Sequence, residues 1–189
     1  MGKLIYSMNM SLDGYINDAN GGFDWTDPEE EAFVFITEHI RPVGTYLYGR
    51  RVHELMSFWE TAHLAPDASP AWLDFCQVWQ AADKVVYSTT LREVTTARTR
   101  LERSFDVDAV RRLKGTSDRD LTIEGPTLAG YALRAGLVDE IAPYVAPIAV
   151  GGGTRFLPDG LMLELDLLEE RRMGTRGAFL RYRVVNSSG

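Results

Sequence analysis

The chain has 189 residues, which is near the upper end of the roughly 100–200 residues expected of one domain. Its net charge of −7, with no basic stripe, argues against a nucleic-acid binder. The one cysteine, Cys76, rules out an internal disulfide and a cysteine-based structural zinc site, and His39, His53 and His63 lack metal-ligand spacing, so no metal is expected.

In chain order, KLIYSMNM alternates like a strand. No apolar run approaches the ~20 residues needed to cross a bilayer, so a soluble cytoplasmic protein is expected, with no membrane partner. TDPEEEAFVFITEHI reads as a helix with Asp27 as N-cap and Pro28 in its first turn. TYLYG is a short strand ending on Gly49, and RRVHELMSFW is the helix behind it. Ser69 and Pro70 start another helix, which places Trp72, Phe75, Cys76 and Trp79 on one face, with Cys76 a buried, inert thiol. The histidines read as surface or supporting residues.

KVVYS is a buried strand, and DVDAVRRLK is a short amphipathic helix capped by Asp106. LTIEG and PTLAGYALRAG form the next strand and helix, closed by Gly136. EIAPYVAPIAV is a strand whose two prolines place it at a sheet edge or break it. LMLELDLLEERRM and AFLRYRVV alternate around GTRG as an antiparallel hairpin. The order predicts one α/β domain over residues 1–189, with a mostly parallel sheet, helices on both faces and a C-terminal hairpin.

Right-handed crossovers put the strand C-termini on one rim, where ligands of open α/β sheets bind. Three junctions share that rim: Gly49-Arg50-Arg51, Ser88-Thr89-Thr90, and Glu124-Gly125-Pro126-Thr127. Bare helix starts leave N–H groups unpaired and present a positive dipole end, which suits phosphate. Arg50 and Arg51 suit either a bidentate phosphate grip or a solvated helix face. The mix of arginines and hydroxyls fits a 2′-phosphorylated ribose better than a free diol. GGGTRF lacks G-x-G-x-x-G spacing and is no Rossmann fingerprint.

SLDGYI (11–16), LYGRRVHE (47–54), VVYSTTL (85–91), EGPTLAGYALRAGLVDE (124–140) and PIAVGGGTRF (147–156) occur in an order spanning the chain. Together they resemble the dihydrofolate-reductase-like fold, in the branch of the reductase domain of the riboflavin-biosynthesis deaminase-reductases. The resemblance implies a three-layer α/β/α domain, NADPH as cofactor, hydride transfer to a small heterocycle, and a homodimer. It places Gly49, Arg50 and Arg51 at the cofactor phosphates, and Ser88 and Thr89 at the adenosine ribose. Gly125, Pro126, Thr127 and Leu128 then lie at the pyrophosphate and nicotinamide, and Ser7, Asp13 and Gly14 at the nicotinamide and substrate. Where the family commonly has Gly-Gly, this chain has Glu124-Gly125, and a carboxylate beside pyrophosphate is repulsive unless it turns away or pairs with arginine.

Classical members carry a carboxylate on the first helix, shortly after a tryptophan. Here Trp25 precedes Glu30 at a matching interval, so both are candidates for holding the substrate and Glu30 for assisting protonation. Asp27 and Glu30 also have the D-x-x-E spacing of a capping box, which would occupy Glu30 with its own helix. Asp13 is the other catalytic candidate, or else a turn residue before Gly14. No H-x-E and P-C-x-x-C zinc signature is present, so no fused deaminase is expected. The competing reading is a non-catalytic nucleotide- or ligand-binding module that keeps the fold.

Overall fold

The computed structural model describes residues 1–26 and 29–185. Its centre is an eight-stranded sheet in the order β4-β3-β2-β5-β1-β6-β8-β7. The strands are β1 (Leu4–Ser11), β2 (Val43–Gly49), β3 (Asp83–Tyr87), β4 (Thr99–Glu102), β5 (Asp120–Glu124), β6 (Glu140–Ala146), β7 (Glu164–Met173) and β8 (Gly177–Val185). The first six run parallel to one another, and β8 and β7 add an antiparallel hairpin at one end. The helices are α1 (Glu30–Ile40), α2 (Arg50–Met56), α3 (Pro70–Ala81), α4 (Val107–Thr116) and α5 (Pro126–Arg134).

Alternation within the strands divides the core in two. Leu4, Tyr6, Leu121 and Ile123 face one side, where Val110 of α4 and Ala129, Ala132 and Leu133 of α5 cover them. Tyr46, Tyr48 and Val86 face the other, packed by Phe33 of α1, Val52 of α2 and Phe75 and Trp79 of α3. Each fully buried large apolar side chain contributes about 1.5–3 kcal/mol, so both layers are needed to hold the sheet between them. The result is the expected three-layer α/β/α arrangement.

Local signals set most element ends. The Ser69 hydroxyl accepts from Trp72 N at 3.2 Å, and Asp106 accepts from Asp108 N and Ala109 N at 2.9 and 3.1 Å. Gly136, at φ +62°, ends α5, with Leu137 N donating back to Ala132 O at 3.0 Å. Phe75, Cys76 and Trp79 of α3 are buried, while Trp72 stays partly open.

Elsewhere the structure refines or adds to these expectations. The strand β6 is interior, not at an edge, and every one of its residues is buried, but it ends at Ala146, so the second proline, Pro147, does break the expected run. Its pairing with β1 is continuous from Glu140 to Ala146, but its ladder with β8 skips Ala142 and Pro143, so the missing proline N–H falls in that gap. The edge strand β4 was not anticipated, because only Leu101 of its four residues is apolar. His53 is buried, which leaves the supporting alternative for it. Asp27 and Pro28, expected to cap α1, lie outside the described residues. The described helix has Glu29 as N-cap, whose carboxylate accepts from Thr175 N and Oγ1 in the β7–β8 turn at 2.9 and 2.7 Å. Among the described residues, no helix is long and apolar enough to cross a membrane.

Candidate functional site

Because β2 and β5 are adjacent and parallel, their C-terminal tips and the helices behind them meet. Gly49 and Gly125 are the N-cap positions of α2 and α5, and neither has a side chain to cap the first-turn N–H groups. Gly125 has φ +97°, and a Cβ placed on it would lie 3.4 Å from Val52 Cγ2 and 4.0 Å from Gly49 N. The two bare helix starts therefore lie side by side. A Cβ on Gly49 would meet nothing within 4 Å, so the space in front of that turn is open. Gly125 N donates to Met8 Sδ at 3.0 Å, which ties the junction to β1.

Around this pair, Arg50 and Arg51 are exposed on the first turn of α2, with Arg50 Nε 3.7 Å from Glu54 Oε1. On α5, Thr127 is exposed, Pro126 half-buried and Leu128 buried against the core. At the tip of β3 the chemistry is more local. The buried Ser88 hydroxyl accepts from Thr90 N and Leu91 N at 3.2 and 2.9 Å, and its carbonyl accepts from Arg103 Nη1 at 3.2 Å. Ser88 thus shapes its turn, and Thr89 beside it is exposed.

Asp13 is exposed and fully engaged. Its carboxylate accepts from Ser11 Oγ at 2.7 Å, from Val150 N at 3.1 Å and from Gly151 N at 2.7 Å. The Ser11 hydroxyl, helped by the two amides, holds its pKa below the ordinary carboxylate value. Neighbouring bonds continue the clamp: Phe156 N donates to Gly14 O at 2.9 Å, and Thr154 N to Asn17 Oδ1 at 2.8 Å. Gly14, at φ +88°, makes the turn that lets the two loops meet. Replacing Asp13 with alanine should speed exchange of the Val150 and Gly151 amides at least about tenfold in hydrogen-exchange NMR. A depressed pKa gives a contribution that is present above the unfolded value and lost as pH falls through the folded one. The wild-type clamp should therefore loosen only as pH falls through and below the ordinary carboxylate range.

Glu30 is exposed at the first position of α1 and borders a groove with Phe33 and Trp59. Trp25, in a 3-10 turn ahead of α1, is half-buried, and its indole N–H is buried without a partner among the described residues. A desolvated carboxyl is found instead at Glu124, half-buried at the end of β5. In register beside Tyr48, the Glu124 side chain lies on the same face of the sheet as α1, not along the axis of α5. Desolvation pushes its pKa up to about 8, opposed only by a 3.4 Å hydrogen bond from Thr122 Oγ1. Protonated at neutral pH, it exerts no repulsion on an anion at the helix starts.

Tyrosines surround that carboxyl. Burial and then the Glu124 charge raise the hydroxyls of Tyr46 and Tyr48 well above their usual value, and the same two causes act on Tyr144 beside a hydrogen bond from buried Ser7. The Tyr46 hydroxyl has no partner among the described residues. Sequence reasoning missed this pocket floor. Glu124 was visible only as a departure from glycine, and the alternation that points Tyr46, Tyr48 and Glu124 to one face was its readable signal. Among the described residues no cluster of His, Cys, Asp and Glu has metal-binding geometry.

Comparisons with known proteins agree with this arrangement. The chain is 25% identical over 154 residues to the uncharacterized protein YyaP of Bacillus subtilis, covering 80% of this chain and 78% of that one. It is 46% identical over 65 residues to the riboflavin biosynthesis protein RibD of Mycobacterium tuberculosis, but that match spans only 33% of this chain and 19% of RibD. Among solved structures, the deaminase/5-amino-6-(5-phosphoribosylamino)uracil reductase of Thermotoga maritima superposes with a TM-score of 0.67 at 14% identity, over 97% of this chain and 57% of that one. Dihydrofolate reductase from Enterococcus faecalis, complexed with NADP(H), superposes with a TM-score of 0.64 at 14% identity, over 98% of both chains. These structural likenesses establish a dihydrofolate-reductase-like fold. The sequence profile of the RibD C-terminal domain matches residues 2–179, and the chain belongs to that family.

Proposed function

We propose that the protein is an NADPH-dependent reductase that transfers hydride to a small heterocycle, of pterin/dihydrofolate or ribosylamino-pyrimidine type. The observation that carries this reading is the pair of adjacent, uncapped helix starts at Gly49 and Gly125, with Arg50 and Arg51 beside them. That donor set fits a pyrophosphate, and the arginines fit a further phosphate. Bound there, a reduced nicotinamide dinucleotide supplies the hydride.

The chain's own residues supply the rest. Thr127 and the first-turn amides of α5 hold the pyrophosphate, Leu128 and Ser7 flank the nicotinamide side, and Thr89 faces the ribose. Glu124, protonated at neutral pH, donates a proton to the ring heteroatom as the adjacent carbon accepts hydride, which balances the reduction. Trp25 Nε1 and Tyr46 OH, two of the buried polar groups without a partner among the described residues, are left to orient a heterocycle. The enzyme is cytoplasmic and a homodimer in this reading, and a 21.2 kDa particle in sedimentation would remove the dimer.

Tryptophan fluorescence should show NADPH binding in the micromolar range and NADH binding at least about tenfold weaker. Arg50→Ala and Arg51→Ala should each weaken NADPH about five- to thirty-fold, the range of one charge-assisted phosphate contact. Absence of binding by either dinucleotide sinks the reading. A non-catalytic module is the second reading, favoured by the use of both Asp13 oxygens in the loop clamp. NADPH oxidation driven by dihydrofolate or an aminopyrimidine separates the two.

A further inference from the structure

A cavity of about 440 Å³ opens between the start of α1, the 3-10 turn Ser57–Glu60 and the start of α3, away from the two helix starts described above. Its wall is a continuous aromatic surface. Phe33 stacks on Trp59 at 5.6 Å and 29°, Phe58 meets Trp59 at 5.1 Å and 75°, and Trp72 stands at 90° to Phe58, 5.6 Å away. Two of these rings are left open to solvent, Phe58 at 51% and Trp72 at 36%. Such large rings are normally covered, and their exposed faces are the costly feature of this surface.

What the lining offers is electron-rich throughout. Ring faces are negative, the Glu30 carboxylate sits at the rim, and the Ser69 oxygen is present as an acceptor; among the described residues no lysine or arginine lines the cavity. Two helix starts also border it, and each brings about half a positive charge. On the α1 side Glu30 and Glu31, both in the first turn, outweigh that half charge, and on the α3 side Ser69 already takes up Trp72 N. The balance is negative, and the volume lies within the range of small-molecule sites.

We infer that this cavity binds an organic cation, an alkylated ammonium carried on an aromatic or aliphatic body, with its charge over the rings of Trp72, Trp59 and Phe58 and toward Glu30. Cation–π attraction supplies the preference for positive charge, and Glu30 adds to it. None of the residues at the Gly49 and Gly125 helix starts lines it, so its occupancy is measured apart from dinucleotide binding, although Glu30 at its rim is also the candidate substrate carboxylate.

The test uses the full chain without any dinucleotide and three soluble probes sharing one ring: benzyltrimethylammonium, benzyl alcohol and benzoate. Tryptophan fluorescence and calorimetry should show the cation binding about tenfold tighter than the alcohol, with benzoate not binding. Trp72→Ala should abolish cation binding while far-ultraviolet circular dichroism stays unchanged. Glu30→Gln should weaken the cation severalfold and leave the alcohol unaffected. Benzoate binding as tightly as the cation, no binding by the cation, or cation binding that survives Trp72→Ala in a folded protein would overturn the inference.

Discussion

Gly125→Val should abolish NADPH binding and cost the fold about 1–3 kcal/mol, the range for a side chain forced into a sparsely allowed backbone conformation. Two effects act together. At φ +97° a β-branched residue is strained whatever space surrounds it, and its Cβ would already lie 3.4 Å from Val52 Cγ2 before the two methyls are added. Those methyls push on α2, so the helix starts that lie side by side in the wild type move apart. A urea melt followed by tryptophan fluorescence measures the first effect, and a dinucleotide titration on the folded fraction measures the second. The expected loss of affinity is at least about a hundredfold, since several amide contacts go at once. A folded variant that binds NADPH normally would move the pyrophosphate elsewhere and leave the junction a structural turn. Gly125→Ala carries the same strain without the methyls, and a milder loss of affinity in that variant assigns the remainder to displacement of α2.

How much of this was legible depended on whether the signal was local. Asp106 and Ser69 announced their helices because a capping side chain bonds within three residues of itself. The parallel core was readable from TYLYG, KVVYS and LTIEG, short apolar runs each bounded by a break and separated by helical patterns. The hairpin was readable from alternation on both sides of GTRG. What failed depended on partners far away in sequence. Pro143 looked like an edge residue because its missing N–H is obvious, whereas the gap in the β8 ladder that accommodates it is a tertiary fact. β4 has no pattern of its own and exists because Lys84 through Tyr87 of β3 pair with it.

The candidate site divides the same way. Gly49 and Gly125 were picked out from the strand-to-helix junctions, and only the register of β2 against β5 shows that they are neighbours. Asp13 was singled out as a carboxylate before glycine, but its partners, Val150 and Gly151, lie more than a hundred residues on. Trp25 and Glu30 were paired by spacing alone. The structure leaves Glu30 in solvent beside an aromatic groove and gives the desolvated carboxyl to Glu124. Burial of a charged residue is a property of the assembled layers, so a sequence reports it only through the face on which alternation places it.

Glu124→Gln should make the protein more stable at alkaline pH and less active at every pH. Desolvation raises the Glu124 pKa from 4.5 to about 8 in the folded chain. Between those values the folded state holds a proton that the unfolded state has released, so this group lowers stability as pH climbs through that window. Glutamine never ionises and removes the slope. The gain over wild type should be near zero below pH 4.5 and grow to on the order of 2–4 kcal/mol at pH 9, read as a widening difference in urea midpoints. Activity should move the other way. Glutamine keeps a hydrogen-bond donor at the pocket floor but cannot give up a proton, and loss of a general acid lowers kcat by about 10²–10⁴. The wild-type rate should fall above about pH 8, where the carboxyl ionises, and the variant should lose that limb of its profile. Opposite signs for stability and turnover in one substitution are what a carboxyl kept in place for chemistry produces, because a purely structural residue would lose both together. If the variant is stabilised at pH 9 while kcat and its pH profile are unchanged, the proton comes from solvent and Glu124 only shapes the pocket.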